Sequence, residues 1–478
     1  MMKVATMKRS VLVIALACAA CAQEPVLKLP EVPAAAAFKE AQAPWVAAEP
    51  SAPIAWDGWW QAFGDAELDA LEVRLVQNSP DLASALARYR QAQAVTEGLR
   101  GAQVPTVSAS LNAQRDRQSE LRPLRVLGPT SPNEYNSATL GLNVDYELDI
   151  WGRVQAQVAG GLANERAAEA DLAAARLSLQ AQLADTWLAL RGLDQQAQLL
   201  QDTEKAYARA LDLIQRRHDA GIAAGLDLAR AQGQLESARS QRSQLQAQRA
   251  VMEHAVAALV GANASDFAVS PKVTELNLPA VPTGLPSTLL QRRPDIAGAQ
   301  ERLRAANAQV GVARAAIFPA VTLNAQGGYQ SSDFGRFLQA PNLFWALGPN
   351  VLFTVFDGGR RKAETARSEA ALEESAQRYR GTVLAAFQQV EDQLALIARY
   401  GDALKSEREA AAAAARAQTL ADNRYRAGAV SYLEVVTSQT TELQARRNVL
   451  DLSTRQQRAS VQLVRALGGG WAGNDKGG

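Results

Sequence analysis

Two hydrophobic rhythms alternate along this chain. In 106–114, Val107, Ala109, Leu111 and Ala113 take turns with Thr106, Ser108, Ser110, Asn112 and Gln114. In 138–149, Leu140, Leu142, Val144, Tyr146 and Leu148 alternate with Thr139, Gly141, Asn143, Asp145, Glu147 and Asp149. A period of two gives a strand one apolar and one polar face. Val321, Leu323, Ala325 and Tyr329 repeat the pattern against Thr322, Asn324, Gln326 and Gln330, while 347–356 alternates less cleanly. Four strands are expected, at about 104–115, 137–149, 318–330 and 347–356, with loops 115–137 and 331–346 inside the two hairpins.

Elsewhere the period is helical. Leu172, Ala175, Leu179, Leu183, Trp187, Leu190 and Leu193 recur within a run from Val154 to about Arg216, and a second run goes from about Arg361 to Tyr425. No proline interrupts Pro132 to Pro271 or follows Pro349. Sixty-odd residues of helix extend about 90 Å, more than a compact domain uses, and predict coiled-coil packing.

The same landmarks occur twice in the same order. Ser79-Pro80-Asp81-Leu82-Ala83 returns as Arg293-Pro294-Asp295-Ile296-Ala297, and Val104-Pro105-Thr106-Val107-Ser108 as Phe318-Pro319-Ala320-Val321-Thr322. Gly152-Arg153 returns as Gly359-Arg360, and Ala220-Gly221 with Leu226-Asp227-Leu228 as Ala427-Gly428 with Leu433-Glu434-Val435. The separation stays near 207 to 214 residues, so the chain is a tandem duplication. The expected layout is a signal peptide at 1–20, an extended Pro/Ala-rich arm at 21–58, a first repeat at 59–265, an inter-repeat segment at 266–285, a second repeat at 286–467 and a tail at 468–478.

Composition narrows the chemistry. With 50 Lys+Arg against 49 Asp+Glu, the net charge of +1 offers no basic face for nucleic acid. The two histidines, His218 and His254, have no second ligand at metal spacing, and no nucleophile-elbow, P-loop or dinucleotide motif occurs. Neither an enzyme nor a cofactor is expected. Lys3, Lys8 and Arg9 precede the short apolar run Val11-Leu-Val-Ile-Ala-Leu-Ala17, which marks an export signal. The small residues that follow lead into Cys21 in a pattern that resembles a lipobox, with Cys18 where the pattern prefers Leu. Cys21 is thus the expected lipidated first residue of the mature chain.

In an exported chain, strands of this length with one apolar face suit a transmembrane barrel. Four strands cannot close one, and a sheet edge cannot be left open in lipid, so several protomers must share a barrel. The fold class read from these patterns is mainly α, with a membrane β-barrel and a duplicated unit of short strands and long helices.

Trp59-Trp60-Gln-Ala-Phe63-Gly-Asp65 with Leu68 and Leu71, Tyr146-Glu147-Leu148-Asp149-Ile150-Trp151-Gly152-Arg153, Arg292-Arg293-Pro294-Asp295-Ile296 and Phe356-Asp357-Gly358-Gly359-Arg360 together resemble the outer-membrane factor family. These are the TolC/OprM-like exit ducts of tripartite efflux pumps, and the chain is most similar to their NodT-type lipoprotein branch, from about Cys21 to Leu467. The resemblance implies a homotrimer whose twelve-stranded barrel in the outer membrane continues into a periplasmic α-helical barrel. It implies docking on a periplasmic adaptor and an inner-membrane RND-type pump, which supplies the energy.

It also assigns residues. Ala220, Gly221, Ala427 and Gly428 match turns that face the adaptor, and they equally suit plain helix-turn positions. Asp227 and Tyr425 match positions of a polar link that holds the pore closed. Leu433 and Thr437 match sites of apolar and acidic pore rings, and Glu434 matches another acidic-ring position. Taken singly, Asp227 or Glu434 also fits a solvated helix-surface acid. Thr437 carries no charge and Val430 stands where a linking Arg can occur, which either weakens the latch or leaves Arg424 or Arg426 to make the link. Asp145, Glu147 and Asp149 would line the lumen, most simply as hydration of a polar wall. Two rival readings are a type I secretion exit duct and, in a different class, a periplasmic coiled-coil adaptor or scaffold.

Overall fold

A computed structural model of the chain describes residues 27, 29–30, 38–40, 58–119, 133–274, 278–279 and 292–469. The expected signal peptide, Cys21, most of the arm and most of the tail lie outside these residues. Among the described residues the order is α1 Ala66–Asn78, α2 Pro80–Arg100, β1 Thr106–Arg117, β2 Glu134–Glu147, α3 Arg153–Asp219 and α4 Gly225–Leu259. Then follow α5 Pro294–Ala315, β3 Ala320–Ser331, β4 Leu343–Leu352, α6 Arg360–Arg426 and α7 Tyr432–Ala466. The duplication is visible in the lengths. Helices α3 and α6 have 67 residues each, and α4 and α7 have 35 each. Both pairs start 207 residues apart, at Arg153 and Arg360 and at Gly225 and Tyr432. No described helix is long and apolar enough to cross a membrane.

The chain divides into two compact units, 1–30 with 89–168 and 299–379, and 31–88 with 169–298 and 380–478. The first holds a four-stranded antiparallel sheet in the order β1-β2-β3-β4. Its register lines up Leu111, Leu140, Tyr329 and Leu343 in one row, then Ala109, Leu142, Gly327 and Trp345, then Val107, Val144, Ala325 and Leu347. The alternate rows are Ser108, Asn143, Gln326 and Ala346, and Thr106, Asp145, Asn324 and Gly348. One face is therefore apolar from edge to edge, and it is uncovered: Trp345 is 77% exposed and Leu111 72%. Exposed apolar area this continuous is lipid-facing or an interface.

The fourth strand lies at Leu343–Leu352, four residues earlier than the expected 347–356. Pro349 lies within β4, the terminal strand of the protomer's sheet, which has a single hydrogen-bonded neighbour there. The strand stops at Leu352 because its partner residue, Ala320, is where β3 begins. Phe344 breaks the alternation by lying in the row of Ser110, Gly141 and Gly328. Gly328 is needed for closeness: a Cβ there would come within 1.9 Å of the Leu140 carbonyl oxygen.

In the second unit, helices of both repeats share one core. Trp59, Phe63, Leu68 and Leu75 pack with Leu183 and Trp187 of α3, Val256 of α4, Val390 and Leu394 of α6 and Leu463 of α7. Asp65 caps α1 by accepting from the Glu67 N–H and also accepts from Trp187 Nε1 at 2.8 Å. The Trp-Trp segment thus serves as a core plug and a helix cap. Phe38 joins the same core, and the backbone N–H groups of Lys39 and Glu40 donate to the Glu391 carboxylate at 2.7 and 3.0 Å.

Each repeat also closes on a glycine past its last helix. Gly261 and Gly468 both have positive φ, and a Cβ on either would meet a carbonyl oxygen at 2.2 Å, of Asn78 in one case and Arg292 in the other. Beside the second contact, Arg293 donates to the Ala466 carbonyl oxygen at 2.9 Å and pairs with Asp295, so Arg-Pro-Asp is the stop of α7.

One core carboxylate stands apart. Glu72 of α1 is fully buried, and neither of its side-chain oxygens has a hydrogen-bond partner. Burial pushes its carboxyl up to about 9, with Arg176 opposing and Asp69 adding.

Two outcomes follow from these features. Leu142→Arg puts a charge on the apolar sheet face at a cost of about 2–4 kcal/mol if it lies mid-bilayer, whereas Asn143→Arg does not. Membrane-assembled protein, measured by heat-modifiable electrophoresis, falls for the first and is retained for the second. Glu72 is protonated in the folded state well above its ordinary value of 4.5, so the stability tied to it is full below that value and is lost as pH rises towards about 9. Glu72→Gln therefore raises the melting temperature at about pH 8 and brings no gain at about pH 4, followed by circular dichroism.

Candidate functional site

The long helices turn back at two matching corners. After α3, the Gly221 N–H donates to the His218 carbonyl at 2.8 Å and the Ile222 N–H to the Arg217 carbonyl at 2.8 Å. After α6, Gly428 donates to the Tyr425 carbonyl at 3.0 Å and Ala429 to the Arg424 carbonyl at 2.9 Å. Both are Schellman closures, with Gly221 at φ 75° and Gly428 at φ 74°. A Cβ on either glycine would meet nothing, so glycine is there for its backbone and not for space. Ala220, Gly221, Ala427 and Gly428 are all exposed.

Just inside each corner an acid sits in the first turn of the return helix, Asp227 on α4 and Glu434 on α7. A carboxylate there is favoured by the helix dipole. Asp227 pairs with Arg230 of its own helix at 3.5 Å. Glu434 reaches across its corner to Arg424 at 3.3 Å, the arginine that the missing charge at Val430 left available. Arg426 is occupied by Asp422 at 2.6 Å. Leu433 is 48% exposed, and the Thr437 hydroxyl donates to the Leu433 carbonyl at 2.9 Å.

Between the corners lies a small core of Ile214, Ala231, Tyr432 and Val435, with Leu211, Leu228, Tyr425 and Val436 against it. The Tyr425 and Tyr432 rings are 5.4 Å apart. Burial raises the pKa of the Tyr425 hydroxyl and the Asp227 charge adds to this, while Arg217 opposes through its charge and a side-chain hydrogen bond. Burial also pushes the Tyr432 hydroxyl up to about 12, helped by Tyr425, Tyr207 and Asp227. Within one protomer, Tyr425 faces Arg217, whose guanidinium lies 5.3 Å from the ring centroid, while Asp227 faces Arg230. The expected Asp227–Tyr425 pair is thus brought into one neighbourhood without a direct bond between them.

The three strand acids part company. Asp145 stays on the polar sheet face and accepts from Asn324 Nδ2 at 2.6 Å. Glu147 ends β2 and pairs with Arg153, the first residue of α3. Asp149 lies beyond the strand, and its carboxylate accepts from the Val154 and Gln155 N–H groups at 3.0 and 2.7 Å. It is the cap of α3 at the strand-to-helix corner. Trp151 completes that corner by stacking on Phe318 at 4.8 Å and donating to the Pro319 carbonyl at 2.6 Å. In the second repeat Asp357 does the corner's work, accepting from the Gly359 and Arg361 N–H groups and from Arg361 Nε. That side-chain bond from Arg361, with the backbone donors behind it, holds its carboxyl below the usual range.

A further cluster escaped the sequence reading. Arg191, 1% exposed, lies 4.2 Å from the Trp187 ring centroid, pairs with Asp194 and Glu67 and donates to the Ser270 carbonyl at 3.0 Å. Arg249 pairs with Asp194 and Glu253 and donates to the Val269 carbonyl at 2.6 Å. Lys272 N–H and Gln195 Nε2 add bonds to Asp194 and to the Thr274 carbonyl. The segment from Val269 to Thr274 is clamped to α3 and α4 by buried charge, and breaking such a network is costly. Partners about eighty residues apart leave no local signal.

With this geometry in view, relatives can be compared. The family model described as outer membrane efflux protein matches residues 72–262 and 285–469. The pyoverdine export outer membrane protein OpmQ of Pseudomonas aeruginosa is 36% identical over 424 residues, 88% of each chain. The outer membrane protein OprJ of the same species is 32% identical over 469 residues, 97% of this chain and 95% of its own. Among solved structures, the outer-membrane channel OprN superposes with a TM-score of 0.85 at 28% identity, covering 95% of this chain and all of its own.

Proposed function

Because the chain belongs to the outer membrane efflux protein family, we propose that three copies form one duct, each adding four strands to a closed barrel and four long helices to a tunnel. The chain is a non-enzymatic outer-membrane efflux channel of the kind that serves tripartite pumps. The observation that carries the proposal is the sheet, apolar across one whole face and unpaired along β1 and β4. Strand pairing between copies removes both edges. Family membership displaces the scaffold reading, since a coiled-coil adaptor has no use for that face.

In this reading Cys21 carries the lipid that anchors the chain in the outer membrane. The exposed corners at Ala220, Gly221, Ala427 and Gly428 meet a periplasmic adaptor, and an inner-membrane RND-type pump delivers small molecules to the tunnel. Asp227, Tyr425, Leu433, Glu434 and Thr437 narrow the periplasmic end, with Leu433 and Glu434 exposed where three copies would face one another. Asp145 hydrates the barrel wall together with Asn324.

The test uses the full chain. Labelled palmitate is incorporated, Cys21→Ser abolishes it, and the protein fractionates with the outer membrane as a heat-labile trimer. In planar bilayers, Asp227→Ala with Tyr425→Phe raises single-channel conductance. A monomer in the periplasmic fraction rejects the duct, and unchanged conductance rejects the gate.

A further inference from the structure

The two corners of one protomer are joined to each other as well as closed on themselves. Their common core draws Ile214 from α3, Ala231 from α4, Tyr425 from α6 and Tyr432 and Val435 from α7. One charged contact crosses it, from Arg217 to the face of Tyr425 at 5.3 Å. Both residues are held by the corners' own backbones. The Arg217 carbonyl accepts from Ile222 and Ala223 at 2.8 and 3.1 Å, and the Tyr425 carbonyl accepts from Gly428 at 3.0 Å. The contact therefore ties one Schellman turn directly to the other.

The neighbouring arginines show that this orientation is a choice. Arg216 is held by Asp212 one turn back, Arg426 by Asp422, and Arg230 by Asp227. Arg424 occupies in the second repeat the place that Arg217 has in the first, accepting from the residue after the turn glycine, and it pairs with Glu434. Equivalent arginines thus face different partners: one an acid on its own hairpin, the other an aromatic ring on the opposite hairpin. A guanidinium within about 6 Å of a tyrosine centroid is attracted by the ring's negative face, and partial desolvation strengthens this.

We infer that Arg217 is a positioning residue of the closed tip: its guanidinium on the ring of Tyr425 holds the α3–α4 and α6–α7 hairpins of a protomer together. This rests on the tip being the gate, and the contact has two parts, the guanidinium set over the ring and a side-chain hydrogen bond that it donates to the tyrosine hydroxyl. Widening by separation of the two hairpins must break this contact, whereas movement of whole protomers leaves it intact.

Planar-bilayer recording of the full-length trimer tests it. Arg217→Met and Tyr425→Leu each remove the contact and raise the open fraction about fivefold, equivalent to about 1 kcal/mol at tenfold per 1.4 kcal/mol. Arg217→Lys keeps a cation over the ring, so it opens less than Arg217→Met. The double variant Arg217→Met with Tyr425→Leu opens no further than either single one. Native electrophoresis checks assembly; if one variant fails to assemble, the other reports on the same contact from its opposite side. The inference is overturned if Arg217→Met and Tyr425→Leu record as wild type while Asp227→Ala with Tyr425→Phe opens the channel, an outcome that leaves the gate in place. It is also overturned, together with the gate, if none of these variants changes the recording, and it falls if Arg217→Lys opens as far as Arg217→Met.

Discussion

A backbone N–H or C=O group left unpaired in hydrocarbon costs several kcal/mol, and β1 and β4 each present a full row of them. That constraint governs the rest of the molecule. The sheet has a fully apolar face, so it is not a water-soluble sheet with one covered side. It has four strands, too few to close on themselves, so its edges can be satisfied only by further copies. Because a copy supplies two unlike edges, β1 of one must meet β4 of the next, which is a head-to-tail contact and gives a ring. Polar rows such as Thr106, Asp145, Asn324 and Gly348 lie on the opposite face of the sheet.

Duplication meets the constraint economically, and the copies agree best where backbone meets backbone. The helix lengths are equal and the Schellman corners match, and the paired contacts of Gly261 with Asn78 and Gly468 with Arg292 leave no room for a side chain. Where side chains alone do the work, the copies diverge. The strand-to-helix corner is capped by Asp149 in the first and Asp357 in the second, and the corresponding arginine pairs are Arg153 with Glu147 and Arg361 with Asp357. The chemistry of the corner persists although its residues have shifted.

The same division explains what could be read without coordinates. Strand faces, helix runs and the turn glycines are local or periodic, and they stand in the sequence in plain view. The start of β4 is hidden because Leu343-Phe344-Trp345 is continuously apolar and shows no alternation, whereas the register with β3 settles it. Asp149 was drawn into the strand because it continues the alternation Asp145, Glu147, although an Asp just ahead of a helix is also a capping signal. The Arg191–Asp194–Arg249 clamp had no such signal, since Arg191 looks like any polar break in an amphipathic helix until Ser270 is folded against it. Glu72 was equally hidden: on an exposed helix it would be ordinary, and only burial without a partner makes it titrate near 9.

At the tip, the absence of charge at Thr437 and Val430 does not make the corner loose. The Thr437 hydroxyl is satisfied by the Leu433 carbonyl, so it asks nothing of a neighbour. Arg424 reaches Glu434 across the same turn that carries Val430. This has an electrostatic consequence. If three copies bring Glu434 to one ring, each brings Arg424 with it at 3.3 Å, so the ring is close to neutral rather than acidic. Exposed pairs of this kind are screened and weak, which makes them poor fasteners and poor selectivity filters alike. Within one protomer the two corners are then joined chiefly by what is apolar and partly buried between them, the tyrosine core and the cation set against its rim.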